Sequence, residues 1–222
     1  AASDVYKRQT LGWGINEEET LSSNIEKMLL KNGENVEVLN AGIGNYNAER
    51  YTKRFLKNLY VLKPTDIVVN YFIRDAEDLK SAQPNFFLKN SQLALTIWTA
   101  RNRLLNPKGE KSLIKHYESL YNKESLGYKK MKKSLYELST YARSNKIRIY
   151  ILMTPDIYDL ENYKYVIIHK MIKDIAKEYK YVFVDSLPLF INRKFETLNA
   201  MPGDRHPNAL GHKLLADSLY PI

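Results

Sequence analysis

The run Asp66-Ile67-Val68-Val69-Asn70-Tyr71-Phe72 narrows the fold more than any other stretch of this chain. It hardly alternates between polar and apolar, so it cannot line a sheet with one wet face. It reads as a strand covered on both sides, the habit of parallel sheets. Residues 36–39, 147–153 and 181–185 have the same short apolar character. Helical stripes lie between these runs. Leu21, Ile25, Met28 and Leu29 form one that stops at Gly33, and Ala48, Tyr51, Phe55, Leu59 and Leu62 form another that stops before Pro64. A long helix is expected over residues 126–144, and Ile168, Met171, Ile172 and Ile175 mark a further one. Strand and helix in alternation predict right-handed crossovers and a three-layer α/β/α domain around a parallel sheet.

The middle of the chain, around 79–123, breaks this rhythm and reads as a helical insertion, with Leu93, Ile97, Ala100 and Leu104 suggesting one helix beside Trp98. Residues 10–222 otherwise form one domain. Residues 1–9 fit nothing downstream. Asp4-Val5-Tyr6-Lys7-Arg8-Gln9 matches a translated transposon end of the kind used in sequencing libraries, so this segment is expected to be non-native.

In open α/β sheets, ligands bind outside the carboxyl ends of the strands. Three polar stretches fall there or in a loop beyond: residues 40–47, the pair Arg74-Asp75, and Asp204-Arg205-His206. The last is the most pointed. A turn-forming Pro202-Gly203 delivers a carboxylate and an imidazole two residues apart, and Asn208 then caps a helix with apolar Leu210, Leu214, Leu215 and Leu219. A carboxylate on one ring nitrogen leaves the other free as a base near neutral pH. The plainer alternative is an Asp that caps a turn beside a His that only packs.

The formal charge of +9 invites a nucleic-acid reading. Much of the excess lies between 101 and 148, where Lys129, Lys130, Lys132 and Lys133 alternate with Met131, Leu135 and Leu138 at helical spacing. That is a solvated helix face, and with no nucleic-acid module nearby, nucleic acid is not an expected partner. The absence of cysteine excludes disulfides and thiolate chemistry. His116, His169, His206 and His212 lack metal-ligand spacing.

Taken in order, Asn40-Ala41-Gly42, Tyr71-Phe72-Ile73-Arg74-Asp75-Ala76-Glu77 and Asp204-Arg205-His206-Pro207-Asn208 resemble the blocks of the SGNH (GDSL-type) hydrolases. The nearest likeness is to members associated with acetylation and deacetylation of bacterial exopolysaccharides. The resemblance implies a flavodoxin-like sheet, a serine nucleophile, and no metal or organic cofactor. It further implies an ester substrate, small or polysaccharide, and an exported or membrane-anchored protein whose anchor would lie upstream. His206 would be the base and Asp204 its orienter, while His212 would be structural. A backbone amide at Gly44 or Asn45 would face the oxyanion.

Two departures matter. Thr10-Leu11-Gly12-Trp13-Gly14 resembles the tail of the nucleophile block, which places the family's Gly, Asp and Ser at Tyr6, Lys7 and Arg8. The nucleophile is therefore missing, the first strand is expected to be truncated, and the chain as written should be inactive. The family's oxyanion asparagine is here Arg74, which either holds an oxyanion or anionic group, impairs the hole, or simply pairs with Asp75 or Glu77. A non-catalytic carbohydrate-binding relative is the alternative function. A flavodoxin-like nucleotide binder fits less well, because the glycines of residues 40–47 do not match Gly-x-Gly-x-x-Gly.

Overall fold

The computed structural model describes residues 2–4, 12, 14–79, 110–202 and 205–220. In chain order, its strands and helices are β1 (Ala2–Asp4), α1 (Leu21–Lys31), β2 (Val38–Asn40), α2 (Ala48–Arg54), β3 (Asp66–Phe72), α3 (Glu110–Leu120) and α4 (Leu126–Ser144). There follow β4 (Arg148–Thr154), α5 (Val166–Tyr179), β5 (Val182–Asp185), α6 (Leu187–Phe190) and α7 (Ala209–Leu219). The strands form one sheet in the order β2-β1-β3-β4-β5, and every pairing is parallel. This is the flavodoxin-like order, whose switch point lies between β1 and β3.

The first strand is short, and it falls within the segment that fits nothing downstream in sequence. Even so it takes an interior slot of the sheet, second from the edge: Ser3 pairs with Leu39 on one side and Ile67 on the other. The strand expected at 36–39 forms later, from Val38, and is only half-buried, because β2 is an edge strand. β3 has the predicted bounds and is buried from Ile67 onward.

Alternation along the strands sorts the core into two layers. Ile67, Val69, Tyr71, Ile149, Ile151 and Met153 face α2, α4 and α5, where Tyr51, Phe55, Leu135, Leu138, Ile172 and Ile175 meet them. Val68, Leu152 and Val184 face α1 and α7, where Leu21, Ile25, Leu214 and Leu215 close the other side. Burying each such leucine contributes about 2 kcal/mol. Leu210, expected on the apolar face of α7, is instead exposed, since it falls on the first turn, ahead of the part of the helix that Leu214 and Leu215 pack onto the sheet.

Asn47 caps α2 as expected, its side chain accepting the Arg50 amide at 3.0 Å. Leu62, placed on the core face by helical spacing, is exposed. A π turn over Phe55–Leu59 is the cause: its wider winding turns the residues beyond it out of phase with the stripe. The insertion is described only from Glu110, and the suggested helix through Leu93 and Leu104 lies outside the described residues. The lysines of α4 pair with neighbouring carboxylates, Lys130 with Asp78 at 2.8 Å and Lys132 with Glu178 at 3.1 Å. No helix among the described residues is long and apolar enough to cross a membrane.

Candidate active site

Three loops at the carboxyl ends of the strands carry the residues singled out above, and each is held by side chains that reach across the sequence. After β2, Asn40 folds back so that its Oδ1 accepts the Gly42 amide at 3.0 Å, and Arg54 donates to the Ala41 carbonyl at 2.6 Å. Gly44 and Asn45 form the following turn. Asn45 sits in the left-handed region at φ 60°, and Arg50 donates to its carbonyl at 3.0 Å. Asparagine tolerates this conformation better than most residues, at a cost of about 1–2 kcal/mol.

After β3 comes a 3-10 turn over Ile73–Ala76. Arg74 points outward, its side chain about half exposed, and donates from Nε and NH2 to one oxygen of Glu77 at 3.0 and 2.7 Å. The surface pairing with Glu77 is therefore the arrangement found. Asp75, by contrast, is buried and accepts the Phe72 amide at 3.4 Å. Two supports hold the turn from below: Tyr121 donates to the Ile73 carbonyl at 3.0 Å, and Gly127 brings α4 directly against it. A Cβ on Gly127 would lie 2.1 Å from the Ala76 carbonyl oxygen, so no other residue allows this approach.

The Asn45 and Arg74 loops are tied together. Asn47, almost wholly buried, accepts from Arg50 with its oxygen and donates with its amide to the Glu77 carbonyl at 2.7 Å. One side chain thus caps a helix and fixes the spacing of two loops.

The third loop carries Arg205 and His206, while Gly203 and Asp204 lie outside the described residues. Its ends are closed by an antiparallel bridge between Asn199 and Pro207, in which Ala200 donates to the His206 carbonyl at 2.9 Å and Asn208 to the Leu198 carbonyl at 2.7 Å. Asn208 caps α7 as predicted, accepting the Gly211 amide at 3.1 Å. His206 is partly exposed. His212 is buried, and its Nδ1 accepts the Leu21 amide at 3.0 Å, a cap on the start of α1. Burial pushes the His212 imidazole down to about 4, with a further push from nearby His206. It therefore stays neutral, with Nδ1 free to accept, as a structural role requires.

Two observations bring the loops into one neighbourhood. Tyr117, from α3, is buried within electrostatic reach of both: burial pushes its phenol up, Asp156 adds to the push, and Arg74 and Arg205 oppose it. On the other side, Gly14 packs against the bridge that carries His206; a Cβ there would stand 3.2 Å from that of Ala200. Gly14 therefore lies beside the loop of the candidate base, and β1 is held between β2 and β3, its last residue Asp4 pairing with Asn40 and with Val68.

Asp156 and Tyr117 were not singled out in the sequence. Asp156 follows β4 behind Pro155, is 3% exposed, and receives Arg205 NH1 at 2.8 Å and the Tyr158 amide at 3.0 Å. The Asp after a strand-ending proline was the available signal. Nothing marks Tyr117 among 17 tyrosines. Among the described residues, no group of three or more His, Asp or Glu side chains could hold a metal ion.

No family model matches the chain, and no curated protein does. Solved structures do. A protein described as lipolytic and of the G-D-S-L family, from Desulfitobacterium hafniense DCB-2, superposes with a TM-score of 0.61 at 16% identity, over 99% of this chain and 97% of its own. A mutant of Axe2, an acetyl-xylooligosaccharide esterase from Geobacillus, gives 0.64 at 17% identity, over 99% and 92%. The acetyl xylan esterase AlAXEase gives 0.58 at 15% identity, over 99% and 98%. With the sheet order and the placement of its loops, these likenesses show that the chain has the SGNH hydrolase fold.

Proposed function

We propose that this chain derives from a serine ester hydrolase of the GDSL type, acting on O-acetyl groups of carbohydrate or other small esters. The observation that supports the reading is the approach of Gly14, read as the end of the nucleophile block, to Ala200 beside the loop of His206. The acetyl-ester substrates named for two structural neighbours support the acyl group.

In the intact site, His206 takes the proton of a serine hydroxyl at position 8 as its oxygen attacks the ester carbonyl. Asp204 stabilises the resulting imidazolium. The tetrahedral oxyanion accepts a hydrogen bond from the Gly44 or Asn45 amide, with Arg74 at the rim of the site. Collapse expels the alcohol, which takes the proton back from His206 and leaves an acyl-serine. Water releases acetate in hydrolysis; a sugar hydroxyl takes the acyl group in transfer.

With Arg8 in the sequence, the first step has no nucleophile and the chain is inactive. The test is to introduce Tyr6→Gly, Lys7→Asp and Arg8→Ser together and measure acetate release from p-nitrophenyl acetate. Activity that disappears with His206→Ala supports the reading, and its absence counts against it. Arg8 at the nucleophile position also favours a second reading, a carbohydrate-binding relative without chemistry. That reading expects glycan binding by the unaltered chain, unaffected by Asp204→Asn.

A further inference from the structure

Behind the His206 loop runs a line of buried and half-buried polar groups that the ester chemistry does not use. It begins at the end of β5, where Asp185 Oδ1 meets His169 Nδ1 at 2.8 Å and accepts the Leu187 amide at 3.0 Å. His169, 3% exposed, meets the Tyr163 hydroxyl through Nε2 at 2.8 Å. The Tyr163 oxygen accepts the Asp156 backbone amide at 3.3 Å. The Asp156 carboxylate then receives Arg205, whose guanidinium also lies 4.2 Å over the Tyr158 ring.

The donors run in a single sense. Asp185 requires a proton on His169 Nδ1, which leaves Nε2 to accept from Tyr163, whose oxygen remains to accept from Asp156. The line connects the end of β5 to the residue before His206, through elements far apart in sequence. A buried carboxylate without its cation is strongly unfavourable, so Asp156 holds Arg205 firmly.

We infer that Asp156 is a positioning residue for His206, acting through Arg205 and held in register by Tyr163, His169 and Asp185. The inference rests on the reading of His206 as the base. The pair fixes Arg205 while the Ala200 amide holds the carbonyl of His206 next to it, so the imidazole is presented in one orientation rather than several.

Two measurements test it. In the unaltered chain, hydrogen exchange at the Ala200 amide reports the anchoring of His206 directly. Asp156→Asn should speed it by about tenfold or more and leave the Ile151 amide in β4 unchanged. If that variant does not fold, Arg205→Gln carries the same test from the partly exposed side of the pair.

In the chain carrying Tyr6→Gly, Lys7→Asp and Arg8→Ser, Asp156→Asn should lower kcat by about tenfold or more with KM within about twofold. Arg205→Lys, which keeps a charged hydrogen bond, should retain most of the rate, whereas Arg205→Gln should not. Tyr163→Phe should lose less, in the same sense. Unchanged Ala200 exchange in a folded variant overturns the inference, and so does faster exchange without loss of kcat. No His206-dependent activity even with Asp156 intact overturns the esterase reading and the catalytic half of the inference, while exchange still decides whether the pair holds the loop.

Discussion

The two walls of the candidate site are built differently. The proposed base wall, with Arg205 and His206, is closed by the Asn199–Pro207 bridge, pinned by the buried Asp156, and packed on Gly14 from far earlier in the sequence. The proposed oxyanion wall carries Gly44, Asn45 and Arg74. Its ties are Asn47, and Tyr121 and Gly127 beneath, while Arg74 reaches a carboxylate just beyond its own turn. Both walls draw on distant parts of the chain, but the base wall is fixed by a buried ion pair, whereas the long ties of the oxyanion wall, to Asn47 and Tyr121, are neutral hydrogen bonds. A site of this kind should tolerate change better on the oxyanion side.

The base itself is where this contrast breaks most decisively. In the chain with Tyr6→Gly, Lys7→Asp and Arg8→Ser, His206→Ala should lower kcat about a thousandfold, measured on p-nitrophenyl acetate. A loss of only a few-fold would make the base wall dispensable.

Acid should reveal where that wall is weak. His212 is folded neutral with its pKa at about 4, against an ordinary 6.5, and the unfolded chain takes up a proton that the folded one refuses. Its contribution is therefore fully present above pH 6.5 and is lost as pH falls toward 4. On the order of 3 kcal/mol should disappear across that window in urea unfolding. His212→Gln should flatten the dependence.

On the other wall, Gly127→Ala should destabilise by about 2 kcal/mol, because the added methyl collides with the Ala76 carbonyl and pushes the Arg74 turn from α4. Denaturant midpoints measure it. Arg74→Asn, which returns the family's shorter donor, should raise kcat of the serine-bearing chain about tenfold. A fall instead would make Arg74 itself the donor. The smallest effect is at Asn45, whose left-handed backbone is easier for glycine. Asn45→Gly should stabilise by up to about 1 kcal/mol, visible as a small rise in Tm.

Most of the fold was legible because periodicity reports burial directly. β3 and α4 have the predicted bounds, and Asn47 and Asn208 cap the helices that their positions announced. Leu62 misled because a π turn has no simple sequence signal and shifts every residue after it. The order of the site loops was readable from strand ends alone. Their mutual support was not. The Asn47 bond to Glu77 and the Arg205 bond to Asp156 join residues 30 and 49 positions apart, and no local pattern encodes such a distance. The role of Arg74 stayed open for the same reason, since its chemistry depends on which neighbour takes its guanidinium.

β2 joins the sheet solely through β1, and β1 must also find β3, whose first partner lies 64 positions further along, Ala2 against Asp66. Until β3 has emerged during synthesis, a newborn Ala2–Asp4 has only the β2 side to pair with, and the order of assembly is set by an inner strand that waits. Long-range pairings of this kind slow folding and leave strand margins uncovered meanwhile. Conditions that delay emergence of β3 should therefore favour clumping of nascent chains over any loss in the finished protein.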